Sequence, residues 1–322
     1  MLNGFLFDGE RSERVEDWQA ALDKIGRREL LWIALRDSTE QEESAVCREL
    51  ELGPAEARRL LESPDRASVA DDGEHLYVTL LAVGGAPHAP DPVPIQCVIG
   101  PDWVVTSHRD EIGVLEEFLE RAEGGGQVGE LDPPSFVAAI SEWVVASYLR
   151  AFEDVEAELE ELDARVISET PRRDVSAELG RLVELRRRIG SLRRALAPHH
   201  EVVISLAHPE LDKLSTEDSA RRFGELEGHV TRALDAARET KESTFGSFDL
   251  LVARIGQRTN DIMKVLTLGT VILLPATVLA GIMGMNFKVG LFNQTWLFWA
   301  VIAVMLVVAA FVLSIARVRE WI

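Results

Sequence analysis

Acidic residues stop at Asp261 and do not return until Glu320. Cys and His are missing from residues 262–319 as well. That stretch therefore holds no soft-ligand site for an ion such as Zn²⁺, although a hydrated transition ion can still pass along it. Only two cysteines, Cys47 and Cys97, occur in the 322 residues. No disulfide framework follows from them, and two lone thiols suit a reducing compartment. Basic residues are scarce, 34 Lys and Arg against 54 Asp and Glu. A net charge of -20 makes nucleic acid a poor partner. No glycine pattern stands between a strand and a helix as a phosphate cradle does, and no nucleophile–base set is visible. An enzyme is therefore not expected. Met1-Leu2-Asn3-Gly4 has neither the basic start nor the apolar run of a signal peptide.

What is present lies mostly at the C-terminal end. Val265 to Met285 are 21 residues without a charge, and Trp296 to Ala316 form a second apolar run. As a helix each run is about 30 Å long, the thickness of a bilayer core. Residues 251–322 carry a net +4, which leaves -24 on residues 1–250 out of the total of -20. Arg254, Arg258 and Lys264 precede the first run, Arg317 and Arg319 follow the second, and only Lys288 lies between. The positive-inside rule puts both termini in the cytoplasm of a cell with a multi-pass protein in its membrane.

Residues before about 130 read as α/β. Leu30–Leu35, His75–Val83, Pro94–Ile99 and Trp103–Thr106 look like strands, with helical patterns at Thr39–Glu62 and Glu111–Ala122. Gly84-Gly85-Ala86-Pro87 and Gly124-Gly125-Gly126 read as loops. Ser135 to about Ser168 reads as a long helix. A turn at Thr170-Pro171 leads to a second, ending near Leu196 before Pro198. The acidic segment Glu156–Asp163 and the basic Arg186-Arg187-Arg188 and Arg193-Arg194 predict salt bridges across this hairpin. Beside Pro198, His199-His200 reads as a polar turn, since neighbours on a helix diverge too far to share one ion.

Between Leu211 and Met285 the only proline is Pro275, inside the first apolar run. This predicts one helix of about 70 residues, roughly 100 Å long. No single chain can bury such a helix, so a bundle of subunits is the expected solution. The expected division is an α/β cytoplasmic domain at 1–130 and a helical hairpin at 131–208. A stalk helix at 209–262, a first span at 263–287, an external loop at 288–295, a second span at 296–316 and a cytoplasmic tail at 317–322 complete it.

Asn260, Met263, Thr267, Thr270, Leu274, Thr277, Gly281 and Gly284 recur at steps of three and four, so they share one stripe. Close helix packing and a pore lining both fit a stripe of Thr and Gly. The length of the helix and the Asn286 at its end favour the pore. Pro275 adds a backbone carbonyl freed from helical hydrogen bonding.

Three segments of this helix closely resemble the CorA family of divalent-cation channels. They are Asn260-Asp261-Ile262-Met263-Lys264-Val265-Leu266-Thr267, Leu274-Pro275-Ala276-Thr277, and Ala280-Gly281-Ile282-Met283-Gly284-Met285-Asn286-Phe287. The Gly-Met-Asn ending is specific to that superfamily, and the order of parts agrees over most of the chain. The resemblance implies a homopentamer in a lipid bilayer whose first span lines a pore for hydrated Mg²⁺, with Co²⁺ or Ni²⁺ as further cargo. The ion would be cargo and not a cofactor, and no cofactor is expected. The resemblance places the selectivity filter at Gly284, Met285 and Asn286, with Thr277, Gly281 and Thr270 along the pore. Asn260, Met263, Leu266 and Leu274 would form the inner constriction. A ring of neutral amide oxygens suits Mg²⁺, because it accepts hydrogen bonds from coordinated water without stripping it. In relatives a regulatory Mg²⁺ bridges acids of neighbouring subunits. The matching positions here are Glu225 on the stalk and Arg59 in the α/β domain, which implies an inter-subunit salt bridge in place of the metal. Where relatives carry an acidic loop after the signature, this chain has Lys288-Val289-Gly290-Leu291-Phe292-Asn293-Gln294. A zinc transporter of the same superfamily and a membrane-anchored scaffold are the alternatives.

Overall fold

The structure is a computed structural model. It describes residues 2–8, 11–26, 29–62, 64–86, 89–123, 132–168, 175–208, 216–285 and 295–318. The chain forms two compact units, Met1–Phe248 and Asp249–Ile322.

The first unit is built on a seven-stranded sheet in the order β2-β1-β3-β7-β6-β5-β4. Its strands are β1 (Leu2–Asp8), β2 (Arg11–Val15), β3 (Glu29–Arg36), β4 (Ser68–Asp71), β5 (Leu76–Ala86), β6 (Ala89–Ile99) and β7 (Trp103–His108). Every neighbouring pair is antiparallel except β3 and β7, where Leu31 faces Trp103 and Arg36 faces His108. Strand β3 is buried on both faces, which explains its unbroken apolar run. Leu31, Ile33 and Leu35 pack with Trp18, Val46, Leu50 and Leu60. Trp32, on the opposite face, meets Phe5, Phe118 and Phe136 with ring centroids 5.2–5.8 Å apart. Its indole N–H donates to the Thr106 hydroxyl at 2.9 Å, so the buried donor is satisfied.

The four strands expected from apolar runs are present. Three others were not apparent in the sequence. Gly4 interrupts β1, β2 is polar, and β4 is only four residues long. Gly84 and Ala86 do not form a loop: β5 continues through them and pairs down to Ala86 opposite Ala89. A side chain at Gly84 would meet Val93 Cγ2 at 2.6 Å, so a tight approach and not a turn requires glycine there. The single helical pattern at Thr39–Glu62 is in fact two helices, α2 (Glu40–Glu49) and α3 (Pro54–Leu61). The break comes at Glu51, whose φ of 52° is left-handed, followed by Pro54 in the first turn of α3. Helices α1 (Trp18–Leu22) and α4 (Gly113–Glu123) complete the small elements.

Long helices follow: α5 (Pro133–Ile167), α6 (Val175–Ala207) and α7 (Glu217–Gly284). The turn at Thr170-Pro171 and the glycines at 124–126 lie outside the described residues. One of the expected hairpin bridges is present, Glu158 with Arg188 at 2.8 Å, and Glu158 also pairs with Arg181 at 3.3 Å. Helix α6 does not end before Pro198 but runs nine residues past it, to Ala207. His199 and His200 are therefore helical, which corrects the expected polar turn. Tertiary contacts outweigh the hydrogen bond that Pro198 removes: His199 is 1% exposed and bonded to the sheet.

Helix α7 starts at Thr216, whose hydroxyl accepts from the Ser219 N–H while the Ser219 hydroxyl accepts from the Thr216 N–H. In the first unit it runs parallel to α5 in a fixed register. Thr216 donates to Asp132, Thr240 to Glu156 at 3.0 Å and Ser247 to Asp163 at 3.0 Å, each pair 84 residues apart. Such polar pairs fix which turn of one helix faces which turn of the other.

Candidate functional site

The second unit holds the C-terminal part of α7 and helix α8 (Thr295–Val318). Both are long and apolar enough to cross a membrane, with mean hydropathies of 2.2 and 2.8 in their most apolar windows. Their side chains are largely uncovered: Val265, Leu266, Leu273, Leu274, Trp299 and Phe311 are all exposed. Water does not tolerate this much contiguous apolar surface. The last ion pair before the first apolar stretch is Lys264 with Asp261, at 3.0 Å.

Asn260, Met263, Thr267, Thr270, Leu274, Thr277, Gly281 and Gly284 all lie on one unbroken helix, and all are exposed. The structure adds a feature that spacing cannot give. Thr267 donates its hydroxyl proton to the Met263 carbonyl at 2.7 Å, Thr270 to Leu266 at 2.9 Å, and Thr277 to Leu273 at 2.8 Å. With its proton committed to the backbone, each hydroxyl offers only lone pairs outward. The three threonines thus present acceptors, which suit the outward-pointing hydrogens of water bound to a cation. Pro275 has no N–H, so the Val271 carbonyl one turn earlier lacks its usual partner. A Cβ at Gly281 or Gly284 would meet nothing within 4 Å, so no described part of the chain requires glycine there. The helix ends with the Met285 N–H on the Ile282 carbonyl at 3.2 Å. Asn286 and the loop with Lys288 lie outside the described residues.

Arg59 and Glu225 belong to the first unit, and each has a partner within its own chain. The Arg59 guanidinium sits over the Tyr77 ring, 5.3 Å from its centroid. The Tyr77 hydroxyl donates to Asp72 at 3.0 Å. Glu225 accepts from Arg221 at 2.9 Å, one helical turn away. Both Arg59 and Glu225 are exposed.

A family model described as CorA-like Mg²⁺ transporter protein matches residues 27–317. The chain belongs to this family. Curated relatives include the cobalt/magnesium transport protein CorA of Thermotoga maritima, 27% identical over 55% of this chain. That match covers 50% of the relative, so the chain spans about half its length. The zinc transport protein ZntB of Pectobacterium carotovorum subsp. carotovorum is 22% identical over 84% of this chain and 83% of its own length. The solved CorA magnesium transporter of Methanocaldococcus jannaschii shares the fold, with a TM-score of 0.81 and 21% identity, covering 99% of this chain and 98% of that one. A CorA fold thus comprises the N-terminal sheet domain, the long helix and the two apolar C-terminal helices.

Proposed function

We propose that the protein is a channel that passes hydrated divalent cations, Mg²⁺ first, down their electrochemical gradient across the cytoplasmic membrane. The observation that carries this reading is the row of threonines whose hydroxyl protons are turned inward to the backbone. Outward threonine acceptors favour a hydrated cation, and they need no acid in the pore. Mg²⁺ holds its first-shell water tightly, so contacts through that water suit it best. Gly284, Met285 and Asn286 form the filter, and Thr270, Thr277 and Gly281 line the path. Asn260, Met263, Leu266 and Leu274 form an apolar inner constriction that gates by dewetting.

Five copies surround the path, with both termini in the cytoplasm. The open space beside Gly281 and Gly284 supports close approach of a neighbouring copy. Glu225 meets Arg59 of the next copy. The cation–π contact on Tyr77 supports this, because it holds the guanidinium in place without using its hydrogen-bond donors.

Liposome flux tests the reading, with Mg²⁺, Co²⁺, Ni²⁺ and Zn²⁺ in competition and with or without a pH gradient. Downhill Mg²⁺ flux that ignores the pH gradient is the expected result. Zinc transport is the second reading, favoured by the ZntB relative that matches over 84% of the chain. It predicts Zn²⁺ flux that Mg²⁺ does not suppress. A scaffold predicts no flux of any ion.

A further inference from the structure

Helices α5 and α6 carry opposite charges that do not all meet within the chain. On α5, Glu153, Glu156, Glu160, Asp163 and Ile167 recur at steps of three and four, so they share one stripe. Glu156 and Asp163 accept from Thr240 and Ser247, which puts the stripe on the flank of α5 that adjoins α7. Glu153, Glu160 and Ile167 stay exposed, seven residues apart. On α6, Leu179, Arg186 and Arg193 are also exposed and spaced by seven. The Arg186 guanidinium sits over the Phe245 ring of α7, 5.4 Å from its centroid, so this second stripe adjoins α7 too. At about 100° per residue, Phe245 lies about 140° around α7 from Thr240, so the two stripes flank α7 on opposite sides. Among the described residues none of Glu153, Glu160, Arg186 and Arg193 has an ion pair.

The two stripes also stand level. Glu158 meets Arg188 at 2.8 Å across the antiparallel hairpin. Counted from that pair in opposite directions, Glu153 is level with Arg193, Glu160 with Arg186 and Ile167 with Leu179, to within about one turn. We propose that these stripes join neighbouring copies of this chain, the α5 stripe of one docking on the α6 stripe of the next. The inference rests on the ring of copies proposed above. A rotation about an axis along the helices keeps every residue at its own level. It therefore carries Glu153 to Arg193, Glu160 to Arg186 and Ile167 to Leu179 of the next copy. Two opposite-charge pairs and one apolar pair then fall at heptad spacing, a pattern that sets partner and register between helices. The contact is head to tail, so every copy uses both stripes and the assembly closes as a ring. Exposed charge pairs are weak singly, so they select register more than they hold the ring together.

The test is disulfide crosslinking of the full-length protein in detergent, with Glu153→Cys and Arg193→Cys in one chain and a mild oxidant. Cys47 and Cys97 are buried and should stay silent. The double variant should give a ladder of covalent multimers on a non-reducing gel, and neither single variant should. In the double-cysteine background, Glu160→Arg should cut the ladder severalfold, and adding Arg186→Glu should restore it. No ladder in a protein that mass shows to be multi-copy would overturn the interface and leave the ring standing. A single copy by mass would remove the ring and the interface with it. The pairing is also overturned by a ladder from either single variant, by a ladder that Glu160→Arg leaves unchanged, or by a loss that Arg186→Glu does not restore.

Discussion

The imidazole of His199 on α6 accepts the backbone N–H of Leu81 on β5 at 3.1 Å. From α5, the Tyr148 hydroxyl donates to the Leu81 carbonyl at 2.7 Å. Strand β4 pairs with β5 only as far as Thr79, and the residue opposite Leu81 on β6 is Pro94. Two side chains thus do for Leu81 what a longer edge strand would do. Because Nε2 accepts, the ring proton sits on Nδ1, which points to the Ala195 and Leu196 carbonyls at 3.1 and 3.2 Å.

Burial holds the His199 pKa down to about 4, from an ordinary value of 6.5. In the unfolded chain the imidazole takes its proton near the ordinary value. Between those two values the unfolded state binds more protons, so stability from this group falls as pH falls from about 6.5 to about 4. Above that window the contribution is fully present, and below it nothing more is lost. The thermal midpoint of the purified protein, followed against pH, should show this slope, and His199→Phe should lack it. At neutral pH His199→Phe should cost about 1–3 kcal/mol, because the Leu81 N–H is left buried and unpaired. Equal pH slopes in the two proteins would contradict the assignment.

The proposed inner constriction gives a second expectation. Met263 and Leu274 are apolar, exposed and on the same stripe as the threonines. If they close a dry gap, Met263→Asp or Leu274→Asp puts a ring of charge into it, and wetting the gap raises basal conductance. Single-channel or flux measurements at rest should show a leak in both variants. Unchanged resting conductance would place these side chains against lipid.

The proposed Arg59–Glu225 contact gives a third. An exposed pair of this kind is worth only about 0–1 kcal/mol, but it recurs in every copy of the ring. A permanent guanidinium makes the symmetric state independent of cytoplasmic Mg²⁺ at this position. Arg59→Asp should create facing carboxylates and make channel opening respond to removal of cytoplasmic Mg²⁺. A wild type that already opens sharply on Mg²⁺ removal, with Glu225→Ala abolishing the response, would refute the bridge.

The parts legible in the sequence are those with a local period. Strands β3, β5, β6 and β7 were visible as apolar runs because both faces of the sheet are covered. The stripe on α7 was visible because its steps of three and four survive in one dimension. What failed was overruled by distant contacts. Pro198 reads as a stop by any local rule, yet α6 continues because His199 is needed at Leu81, 118 residues earlier. Glu51 takes up a left-handed turn although it is not itself a glycine. Glu142 and His229 come within 3.5 Å although they lie 87 positions apart, and only the parallel register of α5 and α7 joins them. The inward hydroxyls of Thr267, Thr270 and Thr277 are a matter of rotamer, which residue identity does not record.

The most direct test of the central claim is Mg²⁺ uptake into liposomes by wild type, Asn286→Ala and Thr277→Val, each first shown by mass to assemble as wild type does. Asn286→Ala removes the amide oxygen at the end of the stripe, and Thr277→Val removes an outward acceptor at nearly constant volume. The account predicts selective Mg²⁺ uptake by the wild type, its loss in Asn286→Ala, and a reduced rate in Thr277→Val. Undiminished selective uptake in both variants would contradict it and make the stripe a packing seam.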